Sequence, residues 1–156
     1  MQSISKLSLV FVLAAAGILS AQPSGIEGLW VEPTGSVIRV DHCGGQICLW
    51  VVSISHSAPS ELDIFNPDPA KRARPVCGMK IGSGFEMHGT DEASNGTLYD
   101  PKSGKTYHGA IRLDGGRLQL RGYVGIPLFG ETQTWTRPTA PVKACSTSGE
   151  GTSKPQ

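Results

Sequence analysis

The histidines and acidic residues of this sequence are the side chains that would have to carry any acid–base or metal chemistry. Four histidines are present, at His42, His56, His88 and His108. They are scattered, and none of them stands in a His-Glu-x-x-His motif, nor does any Ser or Cys stand in a nucleophile-elbow pattern. Nearby acids such as Asp63 and Asp68 fit turn capping and solvent exposure better than acid–base work. We therefore assign no catalytic residue, no metal site and no cofactor from the sequence.

The four cysteines fit disulfide chemistry better than metal binding. They are Cys43, Cys48, Cys77 and Cys145. An even cysteine count in an exported protein indicates disulfides, and four cysteines allow three connectivities. Cys43 and Cys48 flank a predicted hairpin tip, so a local bridge between them is slightly favoured over a longer Cys48–Cys77 closure. A zinc site with His42 as an added ligand matches no known ligand spacing.

A second possible motif, Ser103-Gly104-Lys105-Thr106, resembles the end of a phosphate-binding loop. That motif requires a glycine where Tyr99 stands here, and it requires a helix after the loop. The residues that follow predict a strand instead. We interpret the segment as a turn.

The first 21 residues have the pattern of a secretory signal. Lys6 supplies the positive region, an apolar stretch runs from Leu7 to Ile18, and small residues precede a cleavage site after Ala21. The apolar stretch is shorter than the roughly 18 residues that a membrane helix needs. The sequence therefore predicts a signal peptide at 1–21, a β-barrel domain at 22–137 and a disordered C-terminal tail at 138–156. The expected location is the periplasm or the exterior, with no integral membrane segment after cleavage.

Charge balance limits the classes of partner. Removal of residues 1–21 from the 156 leaves 135, with 13 basic and 13 acidic residues, because the segment removed contains one lysine and no acid. Nucleic-acid binders and polybasic membrane-surface proteins depend on excess positive charge. A formal net charge of zero argues against both classes, so no nucleic-acid partner is expected.

Strand patterns separated by turn residues recur along the chain, whereas helical periodicity is nearly absent. The predicted strands are 28–32, 36–42, 46–55, one or two short strands within 76–87, 96–99, 106–113, 118–124 and 131–137. Asp114-Gly115-Gly116-Arg117 is the strongest hairpin signal. About eight strands joined as neighbouring hairpins predict an all-β fold, a small up-and-down antiparallel β-barrel whose closure removes the sheet edges.

One long proline-rich loop, from His56 to Pro75, interrupts the strand pattern. Asn66-Pro67-Asp68 predicts the start of a short helical turn with Asn66 as its N-cap. Arg72 and Arg74 could form ion pairs with Asp63 or Asp68. Since exposed pairs of this kind contribute roughly 0–1 kcal/mol, we expect the loop to open easily at the rim of the barrel.

The two ends of the β region carry a further signal. Gly28-Leu29-Trp30 opens the first strand and Arg137 follows the last one, which also contains Trp135. In lipocalin-like barrels such an arginine packs flat on the indole and closes one end. We predict that Arg137 stacks on Trp30, with Trp30, Trp135 and Arg137 as structural residues.

Several longer stretches carry a family resemblance. They include the Cys43–Cys48 hairpin, Asn66-Pro67-Asp68-Pro69, Tyr99-Asp100-Pro101, Arg121-Gly122-Tyr123-Val124-Gly125 and Thr132-Gln133-Thr134-Trp135-Thr136-Arg137. In these residues the chain is similar to the bacterial domain-of-unknown-function family numbered 2147. The resemblance implies exported bacterial proteins with a lipocalin-like, calycin-type barrel and no established activity, so it supplies no catalytic roles.

The leading functional hypothesis is an exported binding module that holds an apolar or amphipathic small molecule in the barrel mouth. The candidate binding residues are Asn66, Arg72, Arg74, Tyr99, Tyr107, Arg121 and Tyr123. The alternative is a structural or interaction protein of the cell envelope, with a filled barrel and an envelope protein as partner; a hydrolase-type enzyme ranks third. An empty interior of a few hundred Å³ would favour the ligand hypothesis.

Overall fold

Eight antiparallel strands joined by short turns form the barrel in the computed structural model, which describes residues 25–145. The strands are β1 (Gly28–Val31), β2 (Val37–Cys43), β3 (Gln46–Ser53), β4 (Lys80–His88), β5 (Glu92–Asp100), β6 (Lys105–Asp114), β7 (Arg117–Tyr123) and β8 (Glu131–Trp135). The predicted signal peptide and the last eleven residues of the predicted tail lie outside the described residues.

The strands pair in sequence order, and the first and last strands meet. Each strand is antiparallel to its neighbour, in the order β1 to β8. An antiparallel bridge between Val31 and Thr136, with N···O distances of 2.8 and 3.1 Å, closes the barrel. The prediction of an all-β, up-and-down barrel of about eight strands is confirmed.

Glycine permits two of the turns that the sequence predicts, the one between β6 and β7 and the one between β5 and β6. Gly115 and Gly116 have φ of 55° and 75° between β6 and β7, as a two-residue type I′ hairpin requires. In the β5–β6 turn a Cβ on Gly104 would lie 1.9 Å from the carbonyl oxygen of Phe65. Gly104 therefore allows the proline-rich loop to contact this turn.

Most strand ends lie within two residues of their predicted positions, but two strands begin four residues away from their predicted starts. The predicted region 76–87 contributes one strand, β4, which begins only at Lys80, because the backbone of Gly78 and Met79 bonds to Val51 outside the regular ladder. β5 begins four residues earlier than predicted, at Glu92. The segment 92–95 is mostly polar and contains Asn95 at a φ of 62°, so apolar alternation could not reveal it.

The core fills the end of the barrel that contains Trp30. Trp30, Ile47, Leu49, Phe85 and Leu118 are fully buried there. Inward-facing positions alternate along β6 and β7, whereas β-bulges shift the register between β2 and β3, between β3 and β4, and between β5 and β6.

Arg137 closes this end, as the sequence predicts. Its guanidinium carbon lies 3.7 Å from the centroid of the Trp30 ring. The same guanidinium donates hydrogen bonds to the carbonyl oxygens of Gly25 (2.9 Å) and Glu27 (2.7 Å). The Trp30 indole N–H donates to the Ile26 carbonyl at 2.7 Å. We call this the closed end.

The opposite end, which we call the mouth, is formed by the connections 32–36, 54–79, 101–104 and 124–130. Two short 3₁₀ turns lie in these connections, at Pro69–Lys71 and Pro127–Phe129. No helix within residues 25–145 is long and apolar enough to cross a membrane.

The two disulfides of the described chain lie at opposite ends of the barrel, one in the closed-end hairpin and one at the mouth. Cys43 pairs with Cys48 in the β2–β3 hairpin, as favoured by the sequence, so the alternative Cys48–Cys77 pairing is wrong. Cys77 instead pairs with Cys145. The Cys145 amide also donates to the Val52 carbonyl at 2.9 Å, so the run 138–145 ends attached beside β3.

Candidate functional site

An open cavity of about 550 Å³ occupies the mouth end of the barrel. Its apolar walls come from inward-facing strand positions and from the proline-rich loop. The large apolar residues that line it are Ile38, Val51, Ile54, Leu62, Val76, Ile81, Leu98, Leu120, Val124, Phe129 and Trp135. The core stops short of the mouth, and the space left is large enough for a small molecule.

The polar lining is concentrated at the rim. It consists of Glu32, Ser36, Ser60, Asp100, Lys102, Glu131 and Gln133, together with Tyr99, Tyr107 and Tyr123. The cavity thus has an apolar interior with charged and hydroxyl-bearing groups near its opening, an arrangement suited to an amphipathic molecule.

An ion pair joins two mouth connections that are 70 residues apart in the sequence. The Lys102 ammonium lies 3.1 Å from Oε2 of Glu32. Glu32 is only 6% exposed, whereas Lys102 is 38% exposed. Glu32 also accepts hydrogen bonds from the amides of Thr34 and Ser36 and from the Thr34 hydroxyl.

These donors keep Glu32 ionised despite its burial. Burial acts to raise the pKa of Glu32, but the hydrogen bonds from Thr34 and the charge of Lys102 outweigh it and hold the pKa below the usual value. A fixed negative charge therefore lies in the cavity wall at neutral pH.

A second buried carboxylate, Asp63, fastens the proline-rich loop to β5. Asp63 is fully buried and accepts hydrogen bonds from the Tyr99 hydroxyl (2.5 Å), the Asn66 amide (2.7 Å) and the Arg74 guanidinium (2.7 Å). Asn66 also donates to the Tyr99 oxygen at 3.0 Å. The loop is thus fixed through a buried ion, not only through exposed pairs as the sequence suggested.

The pKa values of Asp63 and Tyr99 are shifted in opposite directions. Burial raises the pKa of Asp63, but hydrogen bonds from Tyr99, Arg74 and Asn66 outweigh it and leave the pKa below its usual value. Burial, together with the bond to the Asp63 carboxylate, raises the pKa of Tyr99 to about 12. Both shifts favour a neutral tyrosine donating to a charged aspartate.

The helical turn of the loop starts two residues later than predicted. Asp68 is the N-cap of the 3₁₀ turn Pro69–Lys71, and its carboxylate accepts the Ala70 amide. Asn66 was predicted as this cap, but its side chain is taken up by Asp63 and Tyr99 and by the Asp68 amide.

The predicted binding residues separate into two groups. Tyr99, Tyr107 and Tyr123 line the cavity. Asn66, Arg72, Arg74 and Arg121 do not.

The arginines outside the cavity hold the connections at the mouth in place. Arg72 donates to the Asn66 carbonyl at 2.8 Å, and Arg74 pairs with Asp63. Arg121 donates twice to the Pro127 carbonyl, at 2.8 and 2.6 Å, and once to the Thr132 hydroxyl. It fixes the β7–β8 connection from outside the barrel.

Sequence reasoning missed Glu32, Lys102 and the apolar lining as site residues. The strand patterns in the sequence could not show at which level of the barrel the core ends and the cavity begins. The Glu32–Lys102 pair left no local signal, because its members belong to different hairpins.

All the large apolar side chains that are well exposed within residues 25–145 lie at the mouth. They are Leu62, Ile64 and Phe65 in the proline-rich loop and Val124, Ile126, Leu128 and Phe129 in the β7–β8 connection. Leu128 and Phe129 are 76% and 77% exposed. Exposed apolar side chains next to a cavity typically mark a binding surface.

Comparison with known proteins gives a family and a fold. The model of a family described as "Uncharacterized protein conserved in bacteria (DUF2147)" matches residues 28–137. A solved structure, protein HP1028 from the human pathogen Helicobacter pylori, is described as belonging to the lipocalin family. It shares 22% identity with this chain and a TM-score of 0.65, over 72% of this chain and 82% of that one. No curated protein shows significant similarity to the chain.

Proposed function

We propose that this chain, which belongs to the bacterial family DUF2147, is an exported binding module that holds an apolar or amphipathic small molecule in the mouth of a lipocalin-like barrel. The observation that carries the proposal is the open cavity of about 550 Å³ with apolar walls. Ligand pockets have volumes of roughly 300–1,000 Å³ and mostly apolar linings with few polar groups.

The surroundings of the cavity support the same function. Exposed apolar side chains from two mouth connections, among them Leu62 and Phe129, extend the apolar wall to the rim. A molecule entering the cavity would contact apolar surface before it is fully enclosed. Burial of that surface favours binding by about 25 cal/mol per Å² before the costs of association are subtracted.

Export is supported by the cysteines. All four are paired in the two disulfides, which form and persist in oxidising compartments. The N-terminal sequence of protein recovered from the periplasm or medium tests export, and a mature chain beginning after Ala21 is the expected result. Native protein in which all four cysteines react with an alkylating agent would contradict it.

Ligand binding is tested with a neutral fluorescent probe, N-phenylnaphthylamine, and a variant that narrows the cavity. Gly122 lines the cavity, and a Cβ there would meet only ordinary contacts, 3.7 Å from Tyr107. Gly122→Leu should therefore keep the melting temperature and weaken probe binding, because its side chain takes up part of the cavity. Gly45→Leu, at an open position of the closed-end hairpin, is the matched control and should bind as wild type.

Native mass spectrometry of protein purified from its own host complements this measurement. A retained small molecule that Gly122→Leu no longer carries supports the proposal. Probe binding that is equal in Gly122→Leu and wild type would show that the cavity is not the site.

The second candidate is an interaction protein of the envelope, favoured by the exposed Leu128 and Phe129. Under this alternative, Leu128→Ser with Phe129→Ser should release a bound protein, while Gly122→Leu has no effect on it. Crosslinking in intact cells with each variant separates the two functions.

A further inference from the structure

We propose that the cavity selects primary amines with an apolar body, and that the ligand ammonium replaces that of Lys102 on the Glu32 carboxylate. The inference rests on the proposed binding function and specifies its ligand class. It depends on three features of the site. A carboxylate, that of Glu32, is held in the cavity wall by hydrogen bonds; an alkylammonium, that of Lys102, is already bound to it; and an apolar cavity lies beside both.

Glu32 is a preorganised anion site. Its side chain lines the cavity but is 94% buried, and three donors from its own hairpin hold it: the amides of Thr34 (3.1 Å) and Ser36 (3.2 Å) and the Thr34 hydroxyl. None of these donors depends on Lys102. The carboxylate therefore keeps its position and most of its hydrogen bonds when the lysine leaves.

Lys102 shows which kind of group this site accepts. Its side chain is a short alkyl chain ending in an ammonium, and that ammonium lies 3.1 Å from Oε2 of Glu32. Lys102 belongs to the β5–β6 turn, whereas Glu32 follows β1. Since β1 and β5 are four strands apart in an eight-stranded barrel, the lysine reaches Glu32 across the mouth. The Lys102 ammonium thus occupies the position that we assign to the ammonium of a ligand.

Replacement of one ammonium by another conserves the charge balance of the wall. The released Lys102 is already 38% exposed and can extend into water at little cost. A ligand carboxylate could bind only Lys102 and would leave Glu32 buried without a cation, which is strongly unfavourable. A neutral head group leaves the pair in place and gains only contact with the apolar walls.

The remaining rim charges favour the same class. Asp100 and Glu131 also line the cavity, and neither forms an ion pair with a residue in 25–145. Lys102 is the only cation among the lining residues of this part of the chain. An amine therefore enters a rim with an excess of negative charge.

The test compares octylamine, octanol and octanoate, which share one chain and differ in the head group. Each displaces N-phenylnaphthylamine from the mature protein at neutral pH. We expect octylamine to bind more tightly than octanol, and octanoate to bind at least about tenfold more weakly than octylamine.

Two variants isolate the role of the ion pair. Lys102→Met keeps the apolar stem but removes the competing ammonium, so the affinity for octylamine should rise about fivefold relative to the affinity for octanol. Lys105→Met is the matched control, because Lys105 is exposed and does not line the cavity; it should change neither affinity. Glu32→Gln should reduce octylamine to the affinity of octanol.

Lys102→Met keeps the test decisive even if Glu32→Gln fails to fold. Octylamine affinity that is unchanged or lowered in Lys102→Met overturns the proposal, as does equal binding of the three wild-type ligands. Equal binding of the three ligands would still be consistent with the proposed binding function. If neither the probe nor any of the three ligands binds, the proposed binding function itself fails.

Discussion

At the scale of single residues, buried and half-buried ionic groups connect segments that are far apart in the sequence. Arg137 contacts the strand-entry residues Gly25 and Glu27, more than a hundred positions away. Glu32 and Asp63 each connect a mouth connection to the β5 region, through Lys102 and Tyr99 respectively. Because such groups are costly to bury alone, each partner holds the other in place.

Arg137→Ala should lower the free energy of unfolding by about 1–3 kcal/mol, through lost packing on Trp30 and lost hydrogen bonds to buried carbonyls. Arg137→Lys should restore only part of this, since an ammonium cannot stack flat on the indole. Urea denaturation measures both variants. Arg117→Ala, on the exposed closed-end hairpin, is the control, and an equal loss there would contradict the role of the stack.

Asp63 should make stability fall in acid. Its folded pKa is depressed, so the stabilisation is complete above the unfolded value of about 4 and is lost as the pH falls through the folded pKa. Asp63→Asn should be less stable by about 2–4 kcal/mol at neutral pH and should lose less stability below pH 4. Melting curves across acid pH measure this, with Glu92→Gln as the exposed control.

Tyr99 should make the stability of the folded protein fall at alkaline pH. Its folded pKa is raised to about 12 from the usual tyrosine value of 10.0, so its contribution is complete below pH 10 and is lost as the pH rises towards 12. Tyr99→Phe should remove this alkaline loss and lower stability at neutral pH. Alkaline unfolding of the two proteins measures the difference. If the two curves have the same shape, Tyr99 does not donate to Asp63 in the folded state.

At the scale of elements, turn chemistry predicted most of the barrel from the sequence. Asp114-Gly115-Gly116-Arg117 and the Asp100–Gly104 turn fix two hairpins by local rules, and β6 and β7 lie within one residue of their predicted bounds. Prediction was poorest where local pattern is weak. The start of β5 is set by pairing with β4 and β6, not by alternation within 92–95.

Glycines within the strands have roles that the sequence could not distinguish. A Cβ on Gly96 would lie 2.3 Å from the Phe85 ring, whereas one on Gly122 would have only ordinary contacts. Gly96→Ala should therefore lower stability by about 1–3 kcal/mol. Gly122→Ala is the matched control and should be neutral or slightly stabilising, because alanine restricts the unfolded chain. Chemical denaturation compares them, and equal losses would contradict the packing of Phe85 on β5.

At the scale of the whole molecule, closure of the barrel assembles the site from residues that no local motif connects. The net charge of zero gave no indication that Glu32, Asp100 and Glu131 meet at one opening with a single lysine among the lining residues. Tyr99, Tyr107 and Tyr123 were predicted at the pocket as polar aromatic groups, and all three line the cavity. Asn66 and Arg74 were predicted there from the loop alone, without the buried Asp63 that holds them.

The two disulfides should contribute unequally to the stability of the whole chain. Cys77–Cys145 closes a loop with a sequence separation of 68, whereas Cys43–Cys48 closes one of only 5. Since a crosslink restricts the unfolded chain more when the closed loop is longer, we expect Cys77→Ser with Cys145→Ser to cost about 4 kcal/mol and Cys43→Ser with Cys48→Ser about 2 kcal/mol. Urea denaturation of both double variants, each under oxidising conditions, gives the two values. A larger loss for the Cys43–Cys48 pair would mean that the local bridge acts on the folded hairpin, by fixing the register of β2 and β3, and not mainly on the unfolded chain.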